Sequence, residues 1–315
     1  MSSLDGRCYQ FMQVDVFTDK ALAGNPLAVF LDGEGLSDAE MQGIAREMNL
    51  SETTFVLPAD SVEHAARVRI FTPAHELPFA GHPTIGTAFV LATKGLLQGK
   101  ATEIILEEGI GPVPVRFEGS VEAPGFIWMQ HGEASFGNPY VNRAEFALAL
   151  GLHEPDLLPG APVVSGSTGR PFLFVPLRNR ATVDRAVLDV PKLLRCFGNA
   201  EPLGVFVFAP DSDNLQGFAG LAGKVYSRMF APHTSNVPED PATGGASGPL
   251  GAYLVKYALV KSGHLVGELR ILSEQGTKMG RQSFVHIRMR SRENGSYSIE
   301  VGGNVVPVAE GVLCL

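Results

Sequence analysis

Three polar side chains stand where their type and setting could do chemistry: Glu52, His82 and Asp240. Glu52 enters an apolar strand within Ser51-Glu-Thr-Thr54. Partial burial there would raise a carboxyl toward neutrality, as general acid/base work requires, whereas a carboxylate after a helix is ordinarily just solvated. His82, in Gly81-His-Pro83, marks a helix start, where an imidazole can donate to a substrate or relay a proton; lone histidines are otherwise structural. Asp240 lies in Pro238-Glu-Asp-Pro-Ala-Thr-Gly-Gly245. Its bland role is that of a helix cap, but prolines on both sides restrict its backbone, which helps to aim a side chain. The unpaired amides and positive dipole end at Gly81-His82 make a seat for an anion such as a substrate carboxylate.

Sharper motifs fail on their spacing. Gly81 to Gly86 lacks the Gly-Lys-Ser/Thr ending of a phosphate loop, and Pro249 stands where a nucleophile elbow needs glycine. His75-Glu76 begins like a zinc-protease motif, yet Pro78 and Phe79 follow, so no metal is expected. A formal charge of -8 with no long Lys/Arg block argues against nucleic acid and anionic membrane as partners. Residues 1–7 lack a signal-peptide pattern and no apolar run approaches a bilayer span, so a cytoplasmic location is expected. Cys8, Cys196 and Cys314 are few and far apart, which reads as reduced structural thiols rather than a disulfide framework.

The elements that must position the polar residues follow from periodicity. Strands are expected at Phe11 to Phe17, Pro26 to Leu31, Thr54 to Leu57 and Val68 to Phe71. Ser37 with Glu40 forms a capping box ahead of a stripe of Met41, Ile44, Ala45 and Met48, and Asn49 ends that helix. Thr84 to Leu91 is small or apolar on every side, which predicts an enclosed helix opened by Pro83. Glu103 to Leu106 and Val113 to Phe117 complete a first half, and Glu118 to Gly125 is the expected crossing point. Farther on, Asn142 and Glu145 cap a helix, Glu154 to Ser167 reads as loop, and Val190 to Phe197 as a short helix. Strands are expected at Phe126 to Gln130, Phe172 to Pro176, Val205 to Phe208, Val225 to Met229, Leu269 to Ser273, Phe284 to Met289 and Tyr297 to Val301. Glu293 to Ser296 makes a hairpin turn before the last.

The chain also repeats itself. Arg69-Ile-Phe-Thr-Pro73 returns as Arg228-Met-Phe-Ala-Pro232, and Thr54 to Asp60 is echoed by Val205 to Asp211. After a loop four residues longer, Thr243 to Tyr253 opens a second small-residue helix reaching about Val260, and Leu106-Glu-Glu-Gly109 is echoed by Ser273-Glu-Gln-Gly276. Four echoes in one order argue for two homologous halves. Glu52 is unmatched, since its counterpart is Leu203 or Gly204.

Six stretches, Ala21 to Val29, Asn49 to Phe55, Arg69 to Pro73, Phe79 to Thr87, Glu239 to Gly244 and Glu274 to Gly276, resemble the PhzF-like family of phenazine-biosynthesis isomerases and their relatives. The resemblance spans nearly the whole chain. It implies an α+β, diaminopimelate-epimerase-like fold of two pseudo-symmetric halves, each a curved, mostly antiparallel sheet wrapped around a central helix, with the site in the cleft between them. The halves would be 1–122 and 123–315, with a strand near 305–315 returning to the first. Glu52 would be the acid/base residue, His82 and Asp240 its catalytic companions, and Gly81, Gly244 and Gly245 the substrate-binding turns. Relatives commonly have serine where this chain has Gly245, which removes one side-chain hydrogen bond to substrate.

The function so implied is a cofactor-independent isomerase moving a proton on a small carboxylate metabolite, acting as a homodimer. A binding or regulatory protein of the same fold is the alternative; it would tolerate Glu52→Gln. Cysteine-pair epimerases share the fold, but no cysteine lies at either central-helix entry.

Overall fold

The computed structural model describes residues 6–97, 102–120, 123–198, 200, 203–211, 221–232, 238–260, 267–293 and 295–315. The chain divides into two units, Met1–Met129 with Gly302–Leu315, and Gln130–Val301.

The first unit opens with β1 (Cys8–Val16) and β2 (Asn25–Phe30), an antiparallel pair. Helix α1 (Asp38–Met48) crosses over to β3 (Glu52–Leu57), which lies parallel to β2, as a helical crossover allows. The expected capping box is present, with Ser37 and Glu40 bonded reciprocally, and Asn49 closes α1 in the left-handed conformation. Its apolar stripe of Met41, Ile44 and Ala45 packs on Phe30, Phe55 and Phe71. Strand β4 (Ala66–Phe71) runs antiparallel to β3 and pairs with the two-residue β5 (Glu76–Leu77). Helix α2 (Gly81–Thr93) follows, then β6 (Glu103–Glu108) parallel to β4, and the antiparallel β7 (Gly111–Ser120) and β8 (Ala123–His131). The crossing point expected at Glu118 to Gly125 falls on the end of β7 and the start of β8, with residues 121–122 outside the described set.

The second unit repeats this plan. After β9 (Ser135–Phe136), α3 (Arg143–Ala149) and β10 (Val164–Ser167), strand β11 (Pro171–Pro176) leads through α4 (Arg180–Arg185) and α5 (Val190–Phe197) to the parallel β12 (Gly204–Pro210). Then come β13 (Gly223–Phe230), antiparallel to β12, and the two-residue β14 (Glu239–Asp240) beside it. Helix α6 (Gly244–Lys256) precedes β15 (Glu268–Gln275), parallel to β13, and β16 (Ser283–Ser291), antiparallel to β15. The run β2-α1-β3-β4-β5-α2-β6-β7 thus has the same order and the same strand directions as β11-α4/α5-β12-β13-β14-α6-β15-β16. Each unit is a mostly antiparallel sheet around one small-residue helix, an α+β architecture of two pseudo-symmetric halves. After β17 (Tyr297–Gly303), β18 (Val305–Cys314) pairs with β1.

Several sequence expectations need correction. Cys8 and Cys314 are not reduced thiols: they are bonded to each other across 306 residues, because antiparallel register sets them directly opposite on β1 and β18. Cys196 alone is free. Glu154 to Ser167 is not all loop, since Val164–Ser167 forms β10 between β9 and β11, a strand hidden by its Ser/Gly content. Asn142 stands at the start of α3 without making a side-chain cap bond. Helix α6 stops at Lys256 rather than near Val260, and Ala258 turns left-handed just after it. In the expected 293–296 turn, Arg292 N donates to Ser296 O at 2.8 Å, while Asn294 lies outside the described residues. No described helix is long and apolar enough to cross a membrane, which says nothing of strands.

The twelve residues Gly81 to Ala92 of α2 are all buried, against β1, β2, β3, β7 and β18. Close approach depends on Gly86, where a Cβ would meet Leu27 at 2.6 Å and Val16 at 2.9 Å. Gly43 on α1 has nothing within 4 Å. Alanine relieves glycine's entropy cost in a helix by about 1 kcal/mol at both, while overpacking costs roughly 1–3 kcal/mol and applies only at Gly86. Gly43→Ala should therefore raise the melting temperature and Gly86→Ala lower it, each by a few degrees in a thermal unfolding scan.

Candidate active site

Each enclosed helix is entered from a two-residue strand, and the same ion pair holds that strand in both units. Arg69 Nε and Nη2 reach the two carboxylate oxygens of Glu76 at 2.7 Å each. Arg228 Nε and Nη2 reach Glu239 in the same way at 2.8 Å each. The planar fork matches the carboxylate and fixes β5 against β4 and β14 against β13.

Neither helix is then capped by its N-cap side chain. Ala80 before α2 has no side-chain oxygen, and the Thr243 hydroxyl before α6 is committed to Asp240 Oδ2 at 2.6 Å. Thr84 N, Ala246 N and Ser247 N return to the carbonyls of Ala80 and Thr243, and Pro83 has no N–H. The first-turn donors left uncapped are therefore the amides of Gly81 and His82 in one unit and of Gly244 and Gly245 in the other. Each pair sits at the positive end of its own helix dipole.

Glu52 and His82 meet. Glu52 is the first residue of β3, and Thr54, two residues on, shares a 2.9 Å hydroxyl contact with Thr87, which ties the strand to α2 one turn past His82. Glu52 Oε2 lies 3.4 Å from His82 Nε2, with the Glu52 side chain 16% exposed and the His82 side chain 4%. The carboxyl keeps access to a ligand while the imidazole is enclosed. The Asn25 amide nitrogen lies 3.1 Å from His82 Nδ1. That contact holds the ring in place without by itself choosing which ring nitrogen carries the proton. Burial pushes the His82 pKa down to about 3, against a smaller upward pull from the Pro26 backbone, so the ring is neutral at ordinary pH.

Asp240, Gly244 and Gly245 lie in the second unit and form a set of their own. Gln275 holds it: Nε2 donates to Asp240 O at 2.8 Å and to Thr243 Oγ1 at 2.9 Å, and Oε1 accepts from Thr243 N at 3.1 Å. Asn25, Thr243 and Gln275 escaped the sequence reading. The available signal was that each lies in or beside a recognised stretch, but Asn25 is 57 residues from His82, and Gln275 is 35 and 32 residues from Asp240 and Thr243. Among the described residues, no group of three or more His, Cys, Asp and Glu side chains is arranged to hold a metal ion.

Comparison with known proteins agrees with this architecture. A family model described as phenazine biosynthesis-like protein matches residues 14–311. The chain belongs to that family. It is 35% identical over 308 residues to an uncharacterized isomerase of Mesorhizobium japonicum, covering 96% of this chain and 98% of the relative. It is also 35% identical over 318 residues to the trans-2,3-dihydro-3-hydroxyanthranilate isomerase of Pseudomonas aeruginosa, covering 96% and 98%. The crystal structure of a PhzF-family protein from Bacillus anthracis superposes with a TM-score of 0.83 at 28% identity, over 98% of this chain and 100% of that one. A hydroxyproline epimerase from Agrobacterium vitis shares the fold alone, with a TM-score of 0.60 at 13% identity over 98% of this chain and 93% of that one. The chain is an isomerase of the phenazine biosynthesis-like family.

At Gly245 a Cβ would touch only the Phe172 ring, at 3.7 and 3.8 Å, which is ordinary contact. A serine side chain is thus admitted by the fold. Gly245→Ser should leave the melting temperature equal or slightly raised, by no more than about 0.5 kcal/mol of helix propensity, while changing relative KM values across a panel of carboxylate substrates.

Proposed function

We propose that the chain is a cofactor-independent isomerase that moves a proton on a small, carboxylate-bearing metabolite, with Glu52 as the acid/base group. The supporting observation is the pairing of a ligand-accessible Glu52 carboxyl with an enclosed, neutral His82 ring 3.4 Å away. In this reading the Glu52 carboxylate takes a proton from a substrate carbon. The electron pair released shifts into the neighbouring π system, and the carboxylic acid so formed returns its proton to another carbon of the same molecule. Neutral His82 orients the Glu52 carboxylate and the substrate without adding a charge. The glycine-turn amides hold the substrate carboxylate and stabilise charge that develops in the transition state. Asp240, fixed by Thr243 and Gln275, serves as a further substrate-binding or proton-relay group.

The Pseudomonas relatives suggest cyclic amino-carboxylic acids as the substrate class, with trans-2,3-dihydro-3-hydroxyanthranilate first in the panel. Incorporation of solvent deuterium reports proton transfer even when net conversion is small. Glu52→Gln should abolish exchange, by roughly 10²- to 10⁴-fold, with the circular dichroism spectrum unchanged; His82→Ala and Asp240→Asn should cost about 10²- to 10³-fold. A Glu52→Gln protein that exchanges at the wild-type rate would exclude the assignment and favour a binding protein or another base.

The pH profile gives an independent check. As the base, Glu52 must be ionised, so kcat/KM should fall as pH drops through its titration. His82 is already neutral above about pH 3, so no second limb should appear near pH 6.5, the ordinary histidine value. A limb there that vanishes in His82→Gln would show a titrating imidazole and remove the neutral ring from the scheme.

A further inference from the structure

Glu108, the last residue of β6, is a buried carboxyl that the proposed chemistry does not use. Its Oε1 lies 2.6 Å from Thr84 Oγ1, and the same hydroxyl lies 2.8 Å from the Ala80 carbonyl oxygen. Thr84 has a single hydroxyl proton and the carbonyl has none to give. For each contact to be a full two-centre hydrogen bond, rather than one proton shared between two acceptors, the carboxyl supplies the second proton, so that Glu108 donates to Thr84 and Thr84 donates to Ala80.

The second unit repeats the hydroxyl-to-carbonyl bond, beside a group that is neutral by nature. Ser247 Oγ, the counterpart of Thr84, donates to the carbonyl of Thr243, the counterpart of Ala80, at 2.9 Å. At the place of Glu108 in the repeat, Ser273-Glu-Gln-Gly276 against Leu106-Glu-Glu-Gly109, stands Gln275. A protonated glutamic acid and a glutamine have nearly the same shape, and each offers one donor side and one acceptor side. Both units thus bring a buried side chain from the following strand to the residues that open the enclosed helix, Glu108 to Thr84 in one and Gln275 to Thr243 N and Oγ1 in the other.

That peptide matters because the Ala80 carbonyl and the Gly81 N–H belong to one rigid plane, so holding the oxygen sets the direction of the N–H. We propose that Glu108 is a positioning residue: as a neutral carboxylic acid acting through Thr84, it aims the Gly81 amide at the carboxylate of the substrate. The assignment rests on the anion-binding role given to that amide above. Burial, only partly opposed by the Thr84 contact, raises the Glu108 pKa to about 8, in keeping with the proton count. An ionised carboxylate here would face the substrate's own negative charge across a buried helix end, where like charges are poorly screened.

The test begins with the full chain carrying glutamate labelled with carbon-13 at the side-chain carboxyl. The Glu108 signal, assigned by its loss in Glu108→Gln, should have the protonated shift at pH 6.5, where solvated glutamates are ionised. An ionised signal at that pH overturns the proposal. The Gly81 amide resonance should move in Glu108→Ala and in Thr84→Val alike and return to its wild-type position in Glu108→Gln; a Gly81 resonance unmoved in Glu108→Ala also overturns it. Kinetically, with trans-2,3-dihydro-3-hydroxyanthranilate, Glu108→Ala and Thr84→Val should raise KM about tenfold with a smaller change in kcat, and Glu108→Gln should restore KM to within about twofold. Glu108→Gln as impaired as Glu108→Ala would overturn it as well. A wild-type protein inactive on this compound counts against the functional reading, while the two resonance measurements still decide the role of Glu108.

Discussion

A helix buried along most of its length has to settle the amides of its first turn with little help from water, and that constraint shapes both units. A capping serine or aspartate would satisfy those donors and close the helix end. Here Ala80 carries no oxygen, and Thr243 turns its hydroxyl to Asp240 instead, so the amides stay uncapped. A buried N–H without a partner is costly, on the order of 1–3 kcal/mol, and an anion is the kind of partner that a helix N-terminus favours. The surrounding structure carries this cost. Ile85, Ala88 and Val90 of α2, and Ala246, Leu250, Tyr253 and Leu254 of α6, are fully buried. Each large apolar side chain among them contributes roughly 1.5–3 kcal/mol, which outweighs the open amides several times over.

The internal repeat supplies the scaffold, and the candidate functional residues are its exceptions. Strand directions, the Arg–Glu forks and the hydroxyl-to-carbonyl bond of the first helical turn recur in both units. Glu52 has an apolar or glycine counterpart, His82 corresponds to Gly245, and Asp240 corresponds to Leu77. Each candidate functional side chain thus stands where the repeat is broken. Duplicated architecture accounts for the backbone amides, which need no side-chain identity, whereas proton transfer needs particular groups that one unit has and the other lacks.

Electrostatics in the first unit favour neutral partners around one carboxylate. The His82 ring is kept neutral by burial and pinned by Asn25, and Glu108 is raised toward its acid form by the same loss of solvent. In a medium of low effective dielectric, removing competing charge leaves the helix dipole and the Glu52 carboxyl as the groups a substrate anion and its proton would sense.

Much of this was legible in the residues alone. The capping box at Ser37 and Glu40, the uniformly apolar Thr84 to Leu91 stretch and the four ordered echoes depend on local periodicity and turn chemistry, which a sequence displays directly. So did the candidate residues themselves, through the stretches that contain them. What required the fold were pairings between distant positions: the Cys8–Cys314 bond, the Asn25–His82 contact that holds the imidazole, and the Gln275 and Glu108 contacts at the helix starts. The chain read Glu154 to Ser167 as loop because serine and glycine have weak strand preference, and neighbours on both sides made β10 of its end. Local sequence determines which element forms and where it stops; which carboxyl keeps its proton, and which amide is left open, depends on burial and partners that exist only once the strands have paired.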